Sequence, residues 1–449
     1  MNVTKHIVRL FSYDYFLRRD GYRLPVHRRE LAKTQYMSSD ELASLQLARL
    51  RAMLTTAYTE NAFYRERFRT CGFETGDLKD FDDLSGIPLL TKDDIRNELG
   101  RTFSSGFDKT NTVHKRTGGS TGVPIHIHMD FNAASYKKAA AERHDAWAGR
   151  VRGDRTAAIW GDTERVLPLK ALVRNALSER LFFLDTLRFD ESRLAAFTAR
   201  IRRLRPPILI GHAHSIYQFS LYVRRVGLDD IRFRGIITTA MVLSQLERKT
   251  IEEIFQSPVF DRYGCEELSI VGSECEAHRG LHVCAEGLYV ELIGENECIP
   301  RRLVITDLLN RAMPMIRYEV GDCGIWAEGE CPCGRRLPRL LEISGRTADF
   351  LYTPEGMPVF GISILDTFVI HIPGMKQVQI IQDRYDHLDF FVVRDEQYTD
   401  ESLALLDRNV KTIFGERMTY DIHFVGEIQT GGRGKFRFSI CRIGDRKGQ

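Results

Sequence analysis

Apolar residues recur along this chain with two different periods, and the changes between them divide it. After the polar run Ser38-Ser39-Asp40-Glu41, the residues Leu42, Leu45, Leu50, Met53, Leu54 and Ala57 mark one side of a helix. The Ser38/Glu41 spacing is that of a capping box, in which side chains satisfy N–H groups left open by the first turn. A second helix is predicted from about residue 190, with Leu194, Phe197, Ile201 and Leu204 on one face. Pro206-Pro207 stops it, and Ile208-Leu209-Ile210-Gly211 reads as a buried strand. Helices and short apolar strands alternate to about residue 270, the pattern of a wound α/β sheet. Beyond it strands dominate, as at 288–293 and 302–305. After about residue 349 the rhythm changes again. Residues 378–381 and 388–393 read as paired strands, and 420–425 as one more. Between them a helix is predicted at about 400–414, with Leu403, Leu406, Val410 and Ile413 inside and Gly415 as its stop. The fold class is therefore α/β. A large N-terminal domain spans 1–348, and a small α+β C-terminal domain, 349–449, is big enough to fold semi-independently.

Composition removes several function classes. With 43% hydrophobic and 28% charged residues the chain has the make-up of a soluble globular protein. A net charge of +3 gives no general field for nucleic acid or membranes. The chain has no run of 18 apolar residues, the length that would span a bilayer. Nine cysteines, an odd number, and an N-terminus without a signal peptide's apolar core lead us to expect the reducing cytoplasm. The mixed stretch from Ile7 to Arg19 reads as a docking helix, with rest on a membrane surface as the alternative.

The most informative run is Arg116-Thr117-Gly118-Gly119-Ser120-Thr121-Gly122-Val123-Pro124, between two strand-like segments. Glycines let backbone N–H groups converge on an anion, and hydroxyls add donors, so the turn suits phosphate. No Gly-Lys-Ser/Thr follows, so it is not a Walker loop. Downstream come Asp261-Arg262-Tyr263-Gly264-Cys265-Glu266-Glu267, then Thr306-Asp307 and Arg317-Tyr318-Glu319-Val320-Gly321-Asp322. An aromatic and a carboxylate around a glycine bend suit a nucleotide base and a metal ion. A carboxylate after a glycine turn can accept ribose hydroxyls. Ser344-Gly345-Arg346-Thr347-Ala348-Asp349 marks the junction of the two domains. Gly431-Gly432-Arg433-Gly434-Lys435 presents one lysine on a glycine-rich loop; taken by itself it is a solvated hairpin tip.

In this order and spacing the segments resemble the adenylate-forming superfamily, in its phenylacetate–coenzyme A ligase-like and capsular-polysaccharide ligase-like branch. The resemblance runs from about residue 40 to 440. It implies a large adenylation domain with a mobile lid. The activity implied is an ATP-dependent ligase that makes an acyl adenylate and passes the acyl group on. By the same resemblance Thr117, Gly118, Gly119, Ser120, Thr121 and Gly122 hold the ATP phosphates. Tyr263 and Gly264 lie at adenine, Glu267 binds Mg²⁺, and Asp322 takes the ribose hydroxyls with Arg346 nearby. Asp349 is the hinge, and Lys435 reaches the carboxylate and α-phosphate. The sequence also departs from the pattern. Val123 stands where the loop lysine is usual, Gly118 replaces a common serine, Ala240-Met241 replaces a Gly-Glu pair, and Glu266 replaces Thr or Ser.

Cys331-Pro332-Cys333 places two thiolates on a tight turn, half of a zinc site. Cys275 and His282 supply the other half in the pattern of the branch resembled, with His278, Cys284 and Cys323 as spares. By the same resemblance, Trp160-Gly161 and Gly211-His212-Ala213-His214 lie at the acceptor and carboxylate pockets. The two histidines are expected to share one face of a strand, compatible with a polar substrate and with ordinary strand packing. The branch resembled implies an acid linked to surface polysaccharide or secondary metabolism rather than a long-chain fatty acid, and polar groups at 158–163 and 211–215 agree with it. The expected acceptor is coenzyme A. An amine, a hydroxyl or a carrier protein is the alternative within the fold, and a non-catalytic nucleotide-binding scaffold is the alternative outside it. A homodimer is the candidate assembly.

Overall fold

The structure is a computed structural model that describes residues 11–98, 100–116, 125–160, 169–186, 191–294, 301–344, 351–356, 358–359, 372–428 and 439–443. The capping box forms as expected. Ser38 accepts from the Glu41 N–H, and the Glu41 side chain accepts from the Ser38 N–H, starting the helix Ser39–Glu60. Leu42, Leu50, Met53, Leu54 and Ala57 are buried. The short helix Tyr13–Arg19 docks through Tyr13 and Leu17, and Arg28 ties its Asp14 to Glu142 of the helix Phe131–Trp147.

An 11-stranded sheet dominates the large region. Its first half is parallel, running spatially through Leu181–Asp185, Thr156–Trp160, Ile208–His212, Gly235–Thr239 and Val259–Cys265. The helices Glu191–Leu204, Ala213–Arg225 and Gln245–Phe255 bury Leu194, Phe197, Ile201, Ile216, Phe219, Ile251 and Phe255 against it. Each such side chain contributes about 1.5–3 kcal/mol on burial. The strand Val259–Cys265 is the changeover. It pairs parallel with Gly235–Thr239 and antiparallel with Ser269–Glu274. From there the sheet is antiparallel, through Leu281–Val283, Arg339–Ser344, Tyr318–Trp326, Arg301–Asp307 and Leu288–Ile293. The predicted passage from alternating elements to consecutive strands thus falls at this strand.

A separate hairpin pairs Val113–Arg116 with His126–Met129, with Arg116 opposite His126 across the glycine-rich run. A four-stranded sheet of Thr419–Phe424, His387–Arg394, Met375–Arg384 and Ser439–Cys441 carries the helix Asp400–Phe414. It has a core of its own, from Val378, Ile380, Leu388 and Phe390 to Leu406, Val410 and Phe414. Leu403, expected inside, is 41% exposed. The helix turns Ser402, Leu406, Val410 and Phe414 inward, a strict four-residue spacing that leaves Leu403 outside the stripe.

Candidate active site

The changeover strand turns back on itself at Glu266–Leu268, and Cys265 pairs with Ser269 across that turn. Ser269 closes it at φ +68°, the left-handed position that short hairpin loops of this kind require. Gly264 is fixed by contact: a Cβ there would lie 2.5 Å from the Ser269 carbonyl oxygen. Leu268, fully buried, anchors the turn, so Glu266 and Glu267 are presented side by side at its tip. Glu267 is 5% exposed and accepts a hydrogen bond from the Tyr318 hydroxyl at 2.9 Å. The Lys92 ammonium lies 3.9 Å away.

Backbone pairing brings these groups together from distant sequence. Leu90 bridges to Tyr318; its N–H donates to the Arg317 carbonyl, and the Glu319 N–H donates to the Leu90 carbonyl. Thr91 then caps the helix Lys92–Asn97, which sets Lys92 beside Glu267. Further along Tyr318–Trp326, Gly321 adopts φ +92° and Asp322 receives the Tyr263 hydroxyl at 2.5 Å. Burial, reinforced by the Asp322 carboxylate, pushes the Tyr263 phenol far above its ordinary range. Burial and Glu267 do the same to Tyr318. Both phenols therefore stay protonated and donate, Tyr263 to Asp322 and Tyr318 to Glu267. Tyr263, Gly264, Glu267 and Asp322 are thus gathered into one site. Thr117, Gly118, Gly119, Ser120, Thr121, Gly122, Arg346, Asp349 and Lys435 lie outside the described residues.

Trp160 and His212 stand at the carboxyl ends of neighbouring parallel strands, where open α/β sheets bind ligands, their rings 4.6 Å apart. His212 and His214 do not share a strand face. The strand ends at His212, which precedes the helix Ala213–Arg225, and His214 lies within that helix. The apolar spacing Ile216, Phe219, Val223 is helical and decides the local structure. His214 pairs with Glu247 at 3.0 Å.

A second cluster joins Cys275, His282, Cys331 and Cys333, whose ligand atoms all lie within 4.8 Å of one another. The Cys275 and Cys331 sulfurs are 3.7 Å apart, and Cys333 Sγ lies 3.3 Å from His282 Nε2. A tetrahedral ion with Zn–S bonds of about 2.3 Å needs sulfurs about 3.8 Å apart, so the donor set fits. His282 Nδ1 donates to the Leu337 carbonyl at 3.2 Å, leaving the Nε2 lone pair toward the sulfurs. Burial pushes this imidazole down to about 4, so it is neutral. The N–H groups of Ala277 and Arg335 point at the Cys275 and Cys333 sulfurs, as in thiolate cages. His278 pairs instead with Glu274, Cys284 faces His144 Nε2 at 3.1 Å, and Cys323 is outside the cluster.

The sequence reading missed Tyr318, Lys92 and Lys115 as parts of the site. Tyr318 lies inside the Arg317–Asp322 segment, and Lys115 immediately precedes the glycine-rich run. Lys92 gave no local signal, since the bonds that place it, led by the Leu90–Tyr318 bridge, join distant sequence.

Residues 351–442 match the CapK C-terminal domain family. Protein CapK of Staphylococcus aureus is 22% identical over 370 residues, covering 80% of this chain and 80% of that one. The phenylacetate-coenzyme A ligase of Pseudomonas putida is 27% identical over 401 residues, covering 84% and 89%. Among solved structures, a 2-hydroxyisobutyryl-CoA ligase in its postadenylation state, bound to 2-HIB-AMP, superimposes with a TM-score of 0.73 at 19% identity, over 91% of this chain and 93% of that one.

Proposed function

Because the chain is a homologue of CapK and the phenylacetate–coenzyme A ligases and has the fold of adenylate-forming ligases, we propose that it is an ATP-dependent carboxylate–coenzyme A ligase. A substrate carboxylate oxygen attacks the α-phosphorus of ATP and pyrophosphate leaves. The coenzyme A thiol, losing its proton, then attacks the acyl carbonyl and AMP leaves. The observation that carries this reading is the convergence of Tyr263 with Asp322 and of Glu267 with Tyr318 at one hairpin tip. Asp322 takes the ribose hydroxyls, Tyr263 lies against adenine, and Glu267 holds Mg²⁺ on the phosphates. Mg²⁺ held by Glu267 would supply positive charge to offset that gathered when two anions meet. Residues Thr117 to Gly122 donate to the phosphates, and Arg346 lies near the ribose. Lys435 steadies the adenylation transition state. The domain from Asp349 to residue 449 turns about Asp349 between half-reactions. Zn²⁺ bound by Cys275, His282, Cys331 and Cys333 staples the changeover hairpin to the segment after Asp322.

A second reading keeps the adenylation step and changes the acceptor to a hydroxyl, an amine or a carrier protein, as polysaccharide synthesis requires. The CapK match within the small domain favours it, because that domain would face the acceptor. The acid is small and polar under either reading, given His212 and Trp160 at the strand ends. ATP–pyrophosphate exchange with aryl, amino, sugar and fatty acids side by side tests the function. Exchange with a small acid, followed by thioester formation on adding coenzyme A, is expected. Exchange without thioester formation selects the second reading. Strong preference for a fatty acid of about twelve carbons or more contradicts the polar pocket.

A further inference from the structure

Lys115 has no part in the function just proposed, yet its ammonium stands over the turn that carries Glu267. It lies in the strand Val113–Arg116, and its Nζ donates to Ser269 Oγ at 3.1 Å. Glu266 Oε2 is 3.6 Å away. Lysines ordinarily carry the charged end out into water. Here the side chain is 30% exposed, and burial draws its pKa below the usual lysine range while Glu266 opposes the shift. A half-buried ammonium with a single hydroxyl and a 57%-exposed carboxylate for partners is placed in advance but loosely held.

The segment that follows sharpens the point. Residues 117–125 contain no lysine and no arginine, and Arg116 is the one cation within the glycine-rich run itself. Enzymes that handle triphosphates set fixed cations against the charge. Among the described residues, Lys92 and Lys115 are the lysines paired with the carboxylates at the tip, Lys92 with the buried Glu267 and Lys115 with the exposed Glu266.

We propose that Lys115 is the phosphate-binding cation of this site, exchanging Glu266 for the β- and γ-phosphates of ATP while Ser269 keeps its ammonium over the turn. Glu266, standing where the family pattern has Thr or Ser, is then a positioning residue that holds the lysine ready. This inference rests on the ATP-dependent reading above.

The test is equilibrium binding of MgATP and of AMP to the full chain by calorimetry. The proteins are wild type, Lys115→Met, Val123→Lys and the double variant. Losing one charge-assisted contact should weaken MgATP about 10-fold or more. AMP, which lacks the β- and γ-phosphates, should bind Lys115→Met as it binds wild type. Restoring a cation in the double variant should bring MgATP affinity back to within about 3-fold of wild type. Val123→Lys alone should gain little, because the place is already taken, and this variant decides the matter if Lys115→Met does not fold. Two results overturn the inference alone: Lys115→Met binding MgATP as tightly as wild type, or Val123→Lys alone tightening it about 10-fold. A wild-type chain that binds no ATP overturns the ligase reading, and this inference with it.

Discussion

Cys275 follows the strand Ser269–Glu274 at one end, and Glu267 precedes it at the other, so two clusters share one hairpin. At the Cys275 end the donors face one another. The thiols and the neutral imidazole close a shell, supported by backbone groups and by the Trp147 ring against His282. At the Glu267 end two acidic side chains accept from tyrosine hydroxyls, Asp322 from Tyr263 and Glu267 from Tyr318, with Lys92 beside Glu267. A closed donor shell stabilises a fold; acidic side chains held by tyrosines beside a hairpin turn are placed for a ligand. The two clusters should therefore fail differently. Damage to the first should cost folding, and damage to the second should cost turnover at constant stability.

The largest effect tests the closed cluster. Cys331→Ser combined with Cys333→Ser should remove about one equivalent of bound zinc and lower the melting temperature by about 10 °C or more, because metal binding of this kind is folding free energy. Retention of the metal, measured by elemental analysis, would show that the ion sits elsewhere.

The residues proposed to act on ATP come next. Lys435→Ala should reduce adenylation about 10²–10³-fold, with use of preformed acyl adenylate nearly unchanged. Equal loss in both half-reactions would assign the lysine a structural role. Glu267→Gln should slow pyrophosphate exchange about 100-fold while the melting temperature holds within a few degrees. Unfolding on this substitution would erase the distinction between the clusters. Tyr263→Phe is smaller: one hydrogen bond to a charged partner, about 10-fold in ATP affinity.

The smallest test lies on the facing strand, at Asp261 opposite Glu274. Asp261 receives the Thr238 hydroxyl and lies near Glu274, and burial first, then Glu274, pushes its carboxyl up to about 7. A carboxyl whose pKa rises on folding stabilises the protonated form. Its contribution is full below its ordinary pKa of 3.8 and is lost as pH climbs through about 7. Asp261→Asn should accordingly raise the melting temperature at pH 8 and change it little near pH 4. The opposite trend would mean that the carboxyl is ionised throughout.

Local pattern was readable wherever one element decides its own structure. The Ser38/Glu41 box, the helix Asp400–Phe414 and the strands beside it follow from spacing and caps. The four-ligand cluster was legible because Cys-x-Cys turns carry chemistry in their spacing. The strand-like reading of His212 to His214 failed because three residues cannot show which period governs them. Lys92 escaped for a different reason. Its neighbour Glu267 is reached through the pairing of Leu90 with Tyr318, and no local window contains both.

That pairing also orders events during synthesis. The strand Arg339–Ser344 inserts between Leu281–Val283 and Tyr318–Trp326, so the sheet that supports Tyr318 and Asp322 is not continuous until residue 344 has been made. On a ribosome adding about 5–20 residues per second, Leu90 and Lys92 wait many seconds for their partners. A ribosome stalled anywhere before Asp322 therefore releases a fragment with an unfinished sheet edge and without the Tyr263–Asp322 pair. Quality control in the cell would meet such fragments as aggregation-prone, not as partly working enzyme.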